Sequence, residues 1–399
     1  MNREEWISRV MGMAVLDTHT HLVGDRLAAK DFWELADYFW LFRELQSAGY
    51  PAYAAELPER ERIQAFLKAY QASRNTLMNW AFTYSIKQLH GLELRDEASV
   101  READAAIRAS AADPAWAQQV ADRAGIRRSV VNHRDHRRFA GMRADAIWMP
   151  RIDGRIAEWV KSIREAPAPE LTAAEKAEDI RLLLASFRQT GCPGIMTTLP
   201  RYEASANAST AATGSLDGDG ALMRVLHVIG EAAEQEGLAV QLLLGVERSW
   251  CGEPLPAGDP ARILKLCGLF ERYACPFELV LASEMNNLDA VQAAWNFPNV
   301  HIGGMWWYNF RASTYRQSMQ YRLEAIAASK SSLIVSDARC IEWSFGKIML
   351  VKRLLGEFLH SQVETGWLDE ETALAVAEQW LYASAAARYG ISDGEEETA

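Results

Sequence analysis

The first apolar run of the chain ends in two histidines that are separated by one residue. The run is Val15-Leu-Asp-Thr-His-Thr-His-Leu-Val23, whose composition is typical of a buried strand. Side chains on a strand alternate between two faces, so His19 and His21 point to the same side, as does Asp17. Two neutral imidazoles that converge at a strand end supply two ligands of a divalent-metal site. The alternative is that both histidines are partly exposed polar residues at the end of a strand. The rest of the sequence distinguishes these two interpretations.

Eight short apolar runs predict the strands that position these histidines. They lie near Ala14–Thr18, Ser129–Asn132, Ala146–Pro150, Gly194–Leu199, Ala239–Gly245, Phe277–Ala282, Val300–Gly304 and Ser332–Ser336. Stretches with helical periodicity lie between most of them, such as Ala173–Gln189, Ala221–Glu236, Ala261–Tyr273 and Met319–Ala328. Runs that are apolar on both faces are typical of parallel strands covered by helices. Eight strand–helix units predict an α/β fold of the distorted (β/α)8 TIM-barrel class.

One connection is far too long for a simple crossover. About a hundred residues, 22–128, separate the first two strands and carry Ala, Leu, Trp and charged residues at helical spacing. We expect a helical insertion after the first strand that covers the carboxyl-terminal face of a single barrel domain spanning residues 1–399. The small, polar segment 201–220 is predicted to be either a mobile lid after the fourth strand or a disordered loop.

The end of the last predicted strand offers a third ligand. Catalytic groups of a barrel come from the carboxyl ends of its strands, and the run "LIVSDARC" places Asp337 at such an end. The first and eighth strands are neighbours in a closed barrel, so Asp337 is expected beside His19 and His21. Three ligands with open positions are the arrangement of a catalytic metal site. The alternative for Asp337 is a helix N-cap, a position that favours Asp.

Several motifs together resemble a known family. "DTHTHL" in the first strand and "SDAR" in the last resemble the amidohydrolase superfamily. The long helical insertion, "MPRID", "GGMWWYNF" and "SDARCIEWSFGKIMLVKRLL" are similar to the uronate isomerase (glucuronate isomerase) family within it. The motifs occur in the same order over nearly the whole chain, but only these short segments match, and the sequence between them does not. The chain is therefore identified as resembling a divergent member of that family.

The resemblance implies a metal-dependent aldose–ketose isomerase. It implies one divalent cation, Zn²⁺ with Mn²⁺ as the alternative, held by His19, His21 and Asp337. The substrate would be a hexuronate, D-glucuronate or D-galacturonate, converted to the ketouronate through a cis-enediol. Asp337 is then the expected proton carrier, with Tyr38 of "LADYFWLF" as its helper.

The resemblance also implies the residues that bind the sugar acid. Arg151 and Arg339 would contact its carboxylate or hydroxyls, because a guanidinium grips a carboxylate in a bidentate fork. Trp306 and Trp307 would line the pocket, since indole faces pack against the C–H side of a sugar while excluding water. The alternative for both tryptophans is packing in the core or at the rim.

Departures from the family pattern leave other reactions open. Leu243 stands where the family usually has a histidine, and the run 196–199, "MTTL", replaces a polar one. Asp37 replaces the histidine of a His-Tyr pair, and Phe310 replaces an aspartate. One rival function is a mononuclear metal-dependent hydrolase or decarboxylase of a small sugar acid or lactone. Another is a non-catalytic relative that binds a ligand without turnover. A two-metal hydrolase is disfavoured, because the fourth to sixth strands lack the further ligands it needs.

Two further histidines, His133 and His136, follow the second strand and are near enough to it to reach the pocket. A structural role is favoured for both.

The composition indicates the kind of partner and the location of the protein. A net charge of −11 argues against a nucleic-acid or anionic-membrane partner. Five cysteines without CxxC spacing and an N-terminus without a signal-peptide pattern predict a cytoplasmic protein with reduced thiols. We expect a small sugar-acid substrate and a homo-oligomer.

Overall fold

The computed structural model describes residues 1–22, 24, 26–133, 139, 142, 146–199, 218–248, 254–256, 260–282, 285–306 and 310–391. The α-helices among them are Arg3–Met11, Phe32–Ala36, Phe39–Ser47, Glu59–Ala72, Leu77–His90, Glu97–Ala112, Trp116–Ala124, Asp153–Glu165, Pro169–Gln189, Gly218–Glu236, Pro260–Arg272, Met285–Asn296, Ala312–Ala325, Ile341–Glu364, Glu370–Glu378 and Ser384–Arg388. A π-helical turn spans Gln379–Ala383, and 3-10 turns span Ala54–Glu56 and Ala328–Lys330. No helix in the described ranges is both long enough and apolar enough to cross a membrane.

Seven strands lie where the apolar runs predicted them. They are Val15–Thr20, Ile126–Val131, Ile147–Trp148, Gly194–Thr198, Ala239–Leu244, Phe277–Leu281 and Val300–Met305, numbered first to seventh below. All their pairings are parallel, in a sheet of the first three strands and a sheet of the last four. A short antiparallel ribbon, Val246–Arg248 with Pro254–Pro256, follows the fifth strand. The predicted α/β fold with parallel strands is confirmed.

Backbone hydrogen bonds join the two sheets into a ring. A parallel bridge between Arg151 and Met196 links the third strand to the fourth. On the other side, Ser332 donates to Ile302 in the seventh strand at 2.8 Å. Residues 334–338 pair with the first strand, where Thr18 donates to the carbonyl of Ile334 at 3.1 Å. The segment 332–338 therefore takes the eighth position of the barrel.

The eighth segment is irregular, which explains why it is not a strand along its length. Leu333 donates its N–H to the carbonyl of Trp380 in the π-helical turn at 2.8 Å, instead of to a neighbouring strand. Gly304 lies so close to this segment that a Cβ would come within 2.5 Å of the Leu333 carbonyl oxygen. The distortion predicted for the barrel is thus located at its closure, where the carboxyl-terminal helices pack.

A small apolar cluster fills the inside of the ring. Each of several strands contributes an inward side chain, for example Leu16, Val130, Leu243 and Val280. Residues from the carboxyl-terminal helices, including Tyr389, belong to the same cluster. Larger clusters lie between the strands and the surrounding helices. Strands that are covered on both faces explain the continuous apolar runs in the sequence.

The long first connection folds as predicted into helices. Six α-helices lie between the first and second strands, from Phe32–Ala36 to Trp116–Ala124. Their ends follow local capping rules: Thr76 accepts a hydrogen bond from Asn79 N at the start of Leu77–His90, and Gly91 ends that helix in the left-handed conformation. These helices share one apolar cluster with the Ile341–Glu364 helix. The predicted segment 201–220 lies outside the described residues up to position 217, and the single-domain division stays a prediction.

Candidate metal centre

His19, His21 and Asp337 meet at one end of the ring, as predicted. The Nε2 atoms of His19 and His21 lie 3.2 and 3.0 Å from Oδ1 of Asp337. One ligand atom from each residue lies within 4.8 Å of the other two, so the three fit around a single ion. His19 and Asp337 are buried, and His21 is partly exposed. Three ligands with one open side are the arrangement of a catalytic metal site.

The backbone of the eighth segment holds Asp337 in register with the first strand. Asp337 donates its N–H to the carbonyl of His19 at 2.9 Å, and His21 donates to the carbonyl of Ala338 at 2.8 Å. Asp337 has a φ of 52°, the only positive value for a non-glycine residue in the described ranges. Asp tolerates this left-handed conformation better than most residues, and it is maintained here by the surrounding hydrogen bonds.

The second carboxylate oxygen of Asp337 is held by tryptophans. Oδ2 accepts hydrogen bonds from the indole N–H groups of Trp306 at 2.9 Å and Trp40 at 3.2 Å. Tyr38 donates its hydroxyl to the backbone carbonyl of Asp337 at 2.7 Å. The sequence predicted Tyr38 and Trp306 for this site, but it carried no signal for Trp40, which comes from the inserted helix Phe39–Ser47. Trp307 lies outside the described residues.

The electrostatic state of the three residues suits a cation. Burial alone would raise the pKa of Asp337, but the two imidazoles beside its Oδ1, which act as hydrogen-bond donors and positive charges when they are protonated, hold it well below its ordinary value. Burial lowers the pKa of His19 and so favours the neutral imidazole. Nδ1 of His19 lies 3.2 Å from Oε1 of Gln241, which leaves Nε2 to face the Asp337 carboxylate. An ionised carboxylate and a neutral imidazole with converging lone pairs fit a divalent cation.

Two further buried charges lie beneath the triad. Asp17 accepts a hydrogen bond from Ser336 N at 2.9 Å, and burial raises its pKa to about 6. Lys347 donates to the carbonyl of Met305 at 3.0 Å, and burial lowers its pKa to about 7 although Asp337 and Asp17 oppose the shift. Lys347 was not predicted from the sequence as part of this site. A lysine within the apolar run "SFGKIML" was the one available signal.

A cavity of about 1060 Å³ borders the triad at His21. Its lining includes His21, the neighbouring pair Asn132 and His133, and the predicted substrate ligands Arg151 and Arg339. His133 lies with Nε2 3.1 Å from the carbonyl oxygen of Leu22, and its ring centroid is 6.1 Å from that of His21. The volume is ample for a monosaccharide acid. His136 lies outside the described residues.

The two arginines are held differently. Arg151 donates from Nε to Asp153, whose other oxygen accepts from Thr198 N at 2.7 Å. Arg339 is exposed to the cavity, and within the described ranges no acidic side chain pairs with it. Arg26, which sequence reasoning missed, also lines the cavity, paired with Glu34. Only the tertiary structure shows that Arg151 and Arg26 are already paired with a carboxylate of this chain.

The positions that depart from the family pattern are occupied by packed or paired side chains. Leu243 is fully buried and pairs in register with Thr198 and Val280. Asp37 forms an ion pair with Arg62 away from the triad. Phe310 is buried, and Lys347 lies 5.6 Å from its ring centroid.

Solved structures share this architecture although sequence comparisons do not find it. No protein-family model matches the chain, and no curated protein matches it. A uronate isomerase from Bacillus halodurans C-125 aligns with a TM-score of 0.75 and 18% identity over 98% of this chain and 96% of its own. A uronate isomerase from Thermotoga maritima gives 0.77 and 15% over 97% of each chain. A glucuronate isomerase from Caulobacter crescentus gives 0.77 and 16% over 99% and 95%. The chain therefore has the fold of these isomerases, which confirms the predicted barrel class.

Proposed function

We propose that the protein is a metal-dependent uronate isomerase. The observation that carries the proposal is the convergence of His19, His21 and Asp337, where His21 also lines a cavity together with Arg339 and Arg151. One cation ligand, His21, and guanidinium groups for an anion thus line one cavity, and the other two ligands lie next to His21. The fold shared with three uronate or glucuronate isomerases supports the same reaction class.

The proposed reaction exchanges the oxidation states of two neighbouring sugar carbons. The C2–H bond breaks and a C1–H bond forms, so the aldehyde becomes an alcohol while the C2 alcohol becomes a ketone. A divalent cation, Zn²⁺ or Mn²⁺, bound by the three ligands would supply Lewis acidity towards the carbonyl and hydroxyl oxygens. The intermediate is a cis-enediol, and no external oxidant is needed.

Residues of this chain would place and move the proton. Asp337 is the proposed proton carrier, and its lowered pKa keeps it ionised and able to accept a proton, although as a weak base. Tyr38, hydrogen-bonded to the backbone of Asp337, would assist it. Trp306 would exclude water from one side while its N–H holds Asp337 in place.

The carboxylate of the sugar would bind at Arg339 and Arg151, which line the cavity. Arg339 is the better candidate for a bidentate grip on the carboxylate, because Arg151 already donates to Asp153. Arg151 would then contact a hydroxyl or the second carboxylate oxygen. A homo-oligomeric state and a cytoplasmic location stay predictions.

Proton NMR of the Zn²⁺- or Mn²⁺-loaded protein with D-glucuronate and D-galacturonate in D₂O tests the reaction. We expect the ketouronate spectrum to grow and deuterium to enter a carbon-bound position. Unchanged sugar, with or without either metal, would contradict the hexuronate assignment. Hydrolysis or decarboxylation of a lactone or another sugar acid, without deuterium entering its C1–H or C2–H positions, would instead favour the rival hydrolase or decarboxylase.

Metal content tests the site independently of turnover. His19→Ala and Asp337→Asn should each remove bound Zn²⁺ from the purified protein, as measured by elemental analysis. His227→Ala is the matched control, because His227 lies on the Gly218–Glu236 helix and contacts Tyr273 instead of the triad. Metal that persists in both site variants would contradict the assignment. Ligand binding without metal or turnover would favour a non-catalytic relative.

A further inference from the structure

A buried polar chain leads from His19 away from the cavity, into the interior of the barrel. Nδ1 of His19 lies 3.2 Å from Oε1 of Gln241, a fully buried residue in the middle of the fifth strand. The Gln241 amide nitrogen lies 2.9 Å from the carbonyl oxygen of Thr18 and 3.0 Å from Oε2 of Glu278. Gln241 and Glu278 belong neither to the triad nor to the lining of the cavity.

The contacts of Gln241 determine which way its amide group faces. Thr18 O and Glu278 Oε2 are acceptors, so the NH₂ group must point at them and Oε1 must point at His19. An oxygen at that position can only accept, so Nδ1 of His19 carries the proton. The Nε2 atom is then the one that offers a lone pair, and it faces Asp337.

Glu278 is itself locked by the carboxyl-terminal end of the chain. Tyr389 donates its hydroxyl to Oε2, and Arg388 Nη1 lies 3.2 Å from Oε1. Ser332, at the start of the eighth segment, donates to the same Oε1 at 3.3 Å. Gly303 makes room for this carboxylate, because a Cβ at that position would lie 2.8 Å from Oε1. Both Glu278 and the Arg388 side chain are fully buried.

We propose that Gln241 and Glu278 are positioning residues that fix the tautomer and orientation of His19, with Tyr389 anchoring them. Gln241 selects Nε2 as the metal-binding nitrogen, and Glu278 prevents the Gln241 amide from turning round. Partners behind a metal-bound histidine set its orientation and raise its basicity. The inference rests on the proposed metal site, but it does not depend on which sugar is turned over.

Zn²⁺ affinity, measured by chelator competition on the full-length protein, is the test. Gln241→Leu removes the acceptor, and we expect Zn²⁺ to bind roughly 10- to 100-fold more weakly. Tyr389→Phe frees one side of Glu278 and should weaken binding by a smaller factor. Tyr70→Phe is the matched control, because Tyr70 is equally buried but its hydroxyl contacts Thr83 in the inserted helices. The control should bind Zn²⁺ like the wild type.

A cavity variant in the same interior cluster separates positioning from a general loss of packing. Val280→Ala removes two methyl groups from the apolar cluster inside the ring but leaves His19, Gln241 and Glu278 intact. We expect it to lower the free energy of unfolding while the Zn²⁺ affinity stays within about threefold of the wild type. The visible absorption spectrum of the Co²⁺-loaded protein should change in Gln241→Leu and stay unchanged in Val280→Ala.

Each outcome decides the inference. Wild-type Zn²⁺ affinity in Gln241→Leu, alongside loss of binding in His19→Ala, would overturn it and leave the proposed metal site standing. Equally weak Zn²⁺ binding in Gln241→Leu and Val280→Ala would also overturn it, since a general loss of packing would then explain both losses. Zn²⁺ binding independent of His19 would overturn both proposals. The expected affinities without turnover of any uronate would support the positioning roles and contradict only the isomerase assignment.

Discussion

Trp306 donates its indole N–H to Oδ2 of Asp337 at 2.9 Å, and the other oxygen of that carboxylate faces the two histidines. Trp40 donates to the same Oδ2 at 3.2 Å. The two oxygens therefore have separate partners. With Oδ2 occupied by two donors, Asp337 can offer a cation only Oδ1, and its side chain cannot turn without breaking both contacts.

Removal of both indole donors should therefore affect metal binding more than the two single losses combined. Trp40→Phe or Trp306→Phe leaves one donor on Oδ2, and each should weaken Zn²⁺ binding by no more than about fivefold, because a hydrogen bond to a charged group contributes ~1.5–3 kcal/mol and one remains. The double variant should lose more than the product of the single factors. Chelator competition measures all three. Trp116→Phe, which removes a buried indole donor to Glu342, is the control; purely multiplicative losses would argue against shared restraint of Asp337.

The two arginines of the cavity should differ in their sensitivity to substitution. Arg339→Lys keeps the charge but loses the bidentate fork, so we expect the KM for the uronate to rise about tenfold with a smaller change in kcat. Arg151→Lys should have the weaker effect on KM, because Asp153 already holds the Arg151 Nε. Steady-state kinetics of both variants give the comparison. A larger KM effect at Arg151 would assign the carboxylate to Arg151, and equal effects would contradict the expected difference between the two arginines.

Acid should destabilise the fold partly through His301, at the start of the seventh strand. Burial, assisted by Arg388 and Lys330, lowers its pKa to about 3. The unfolded chain binds this proton near pH 6.5 and the folded chain only near 3, so the free energy of unfolding falls as the pH drops through that window. Between pH 7 and 4.5 the loss from this group should be about 2 kcal/mol. His301→Gln should lack it, as urea unfolding at both pH values would show; an unchanged difference between the two pH values would refute the assignment.

A buried lysine should contribute strongly to stability far from the cavity. Lys352 donates to the carbonyls of Met11 and Ala124, which end the helices Arg3–Met11 and Trp116–Ala124, and to the carbonyl of Met13, two residues beyond the first helix. Lys352→Met leaves these carbonyls without their donor, and we expect the free energy of unfolding to fall by about 2–4 kcal/mol. Lys87→Met is the control, because Lys87 forms an exposed pair with Glu93 and should change stability by less than about 0.5 kcal/mol. Equal effects in urea unfolding would contradict the capping role.

The sequence by itself determined the parts of the protein that depend on local pattern. Continuous apolar runs located seven strands within a few residues, because strands covered on both faces need apolar side chains throughout. The spacing of His19 and His21 placed both imidazoles on one face, since side chains alternate along a strand. Asp337 was located for a similar reason, as the polar residue that ends an apolar run beside the first strand.

The tertiary structure alone decided which distant side chains complete the candidate site. Trp40 contacts Asp337 from an inserted helix, and Gln241 contacts His19 from the fifth strand. Lys347, on the last long helix, interacts electrostatically with Asp337. Contacts across such sequence separations leave no periodic signal, because each residue follows the pattern of its own element. The irregular eighth segment has the same cause, since Leu333 pairs with the distant carbonyl of Trp380. Local periodicity determines the elements, and the packing of those elements determines which polar groups face one another.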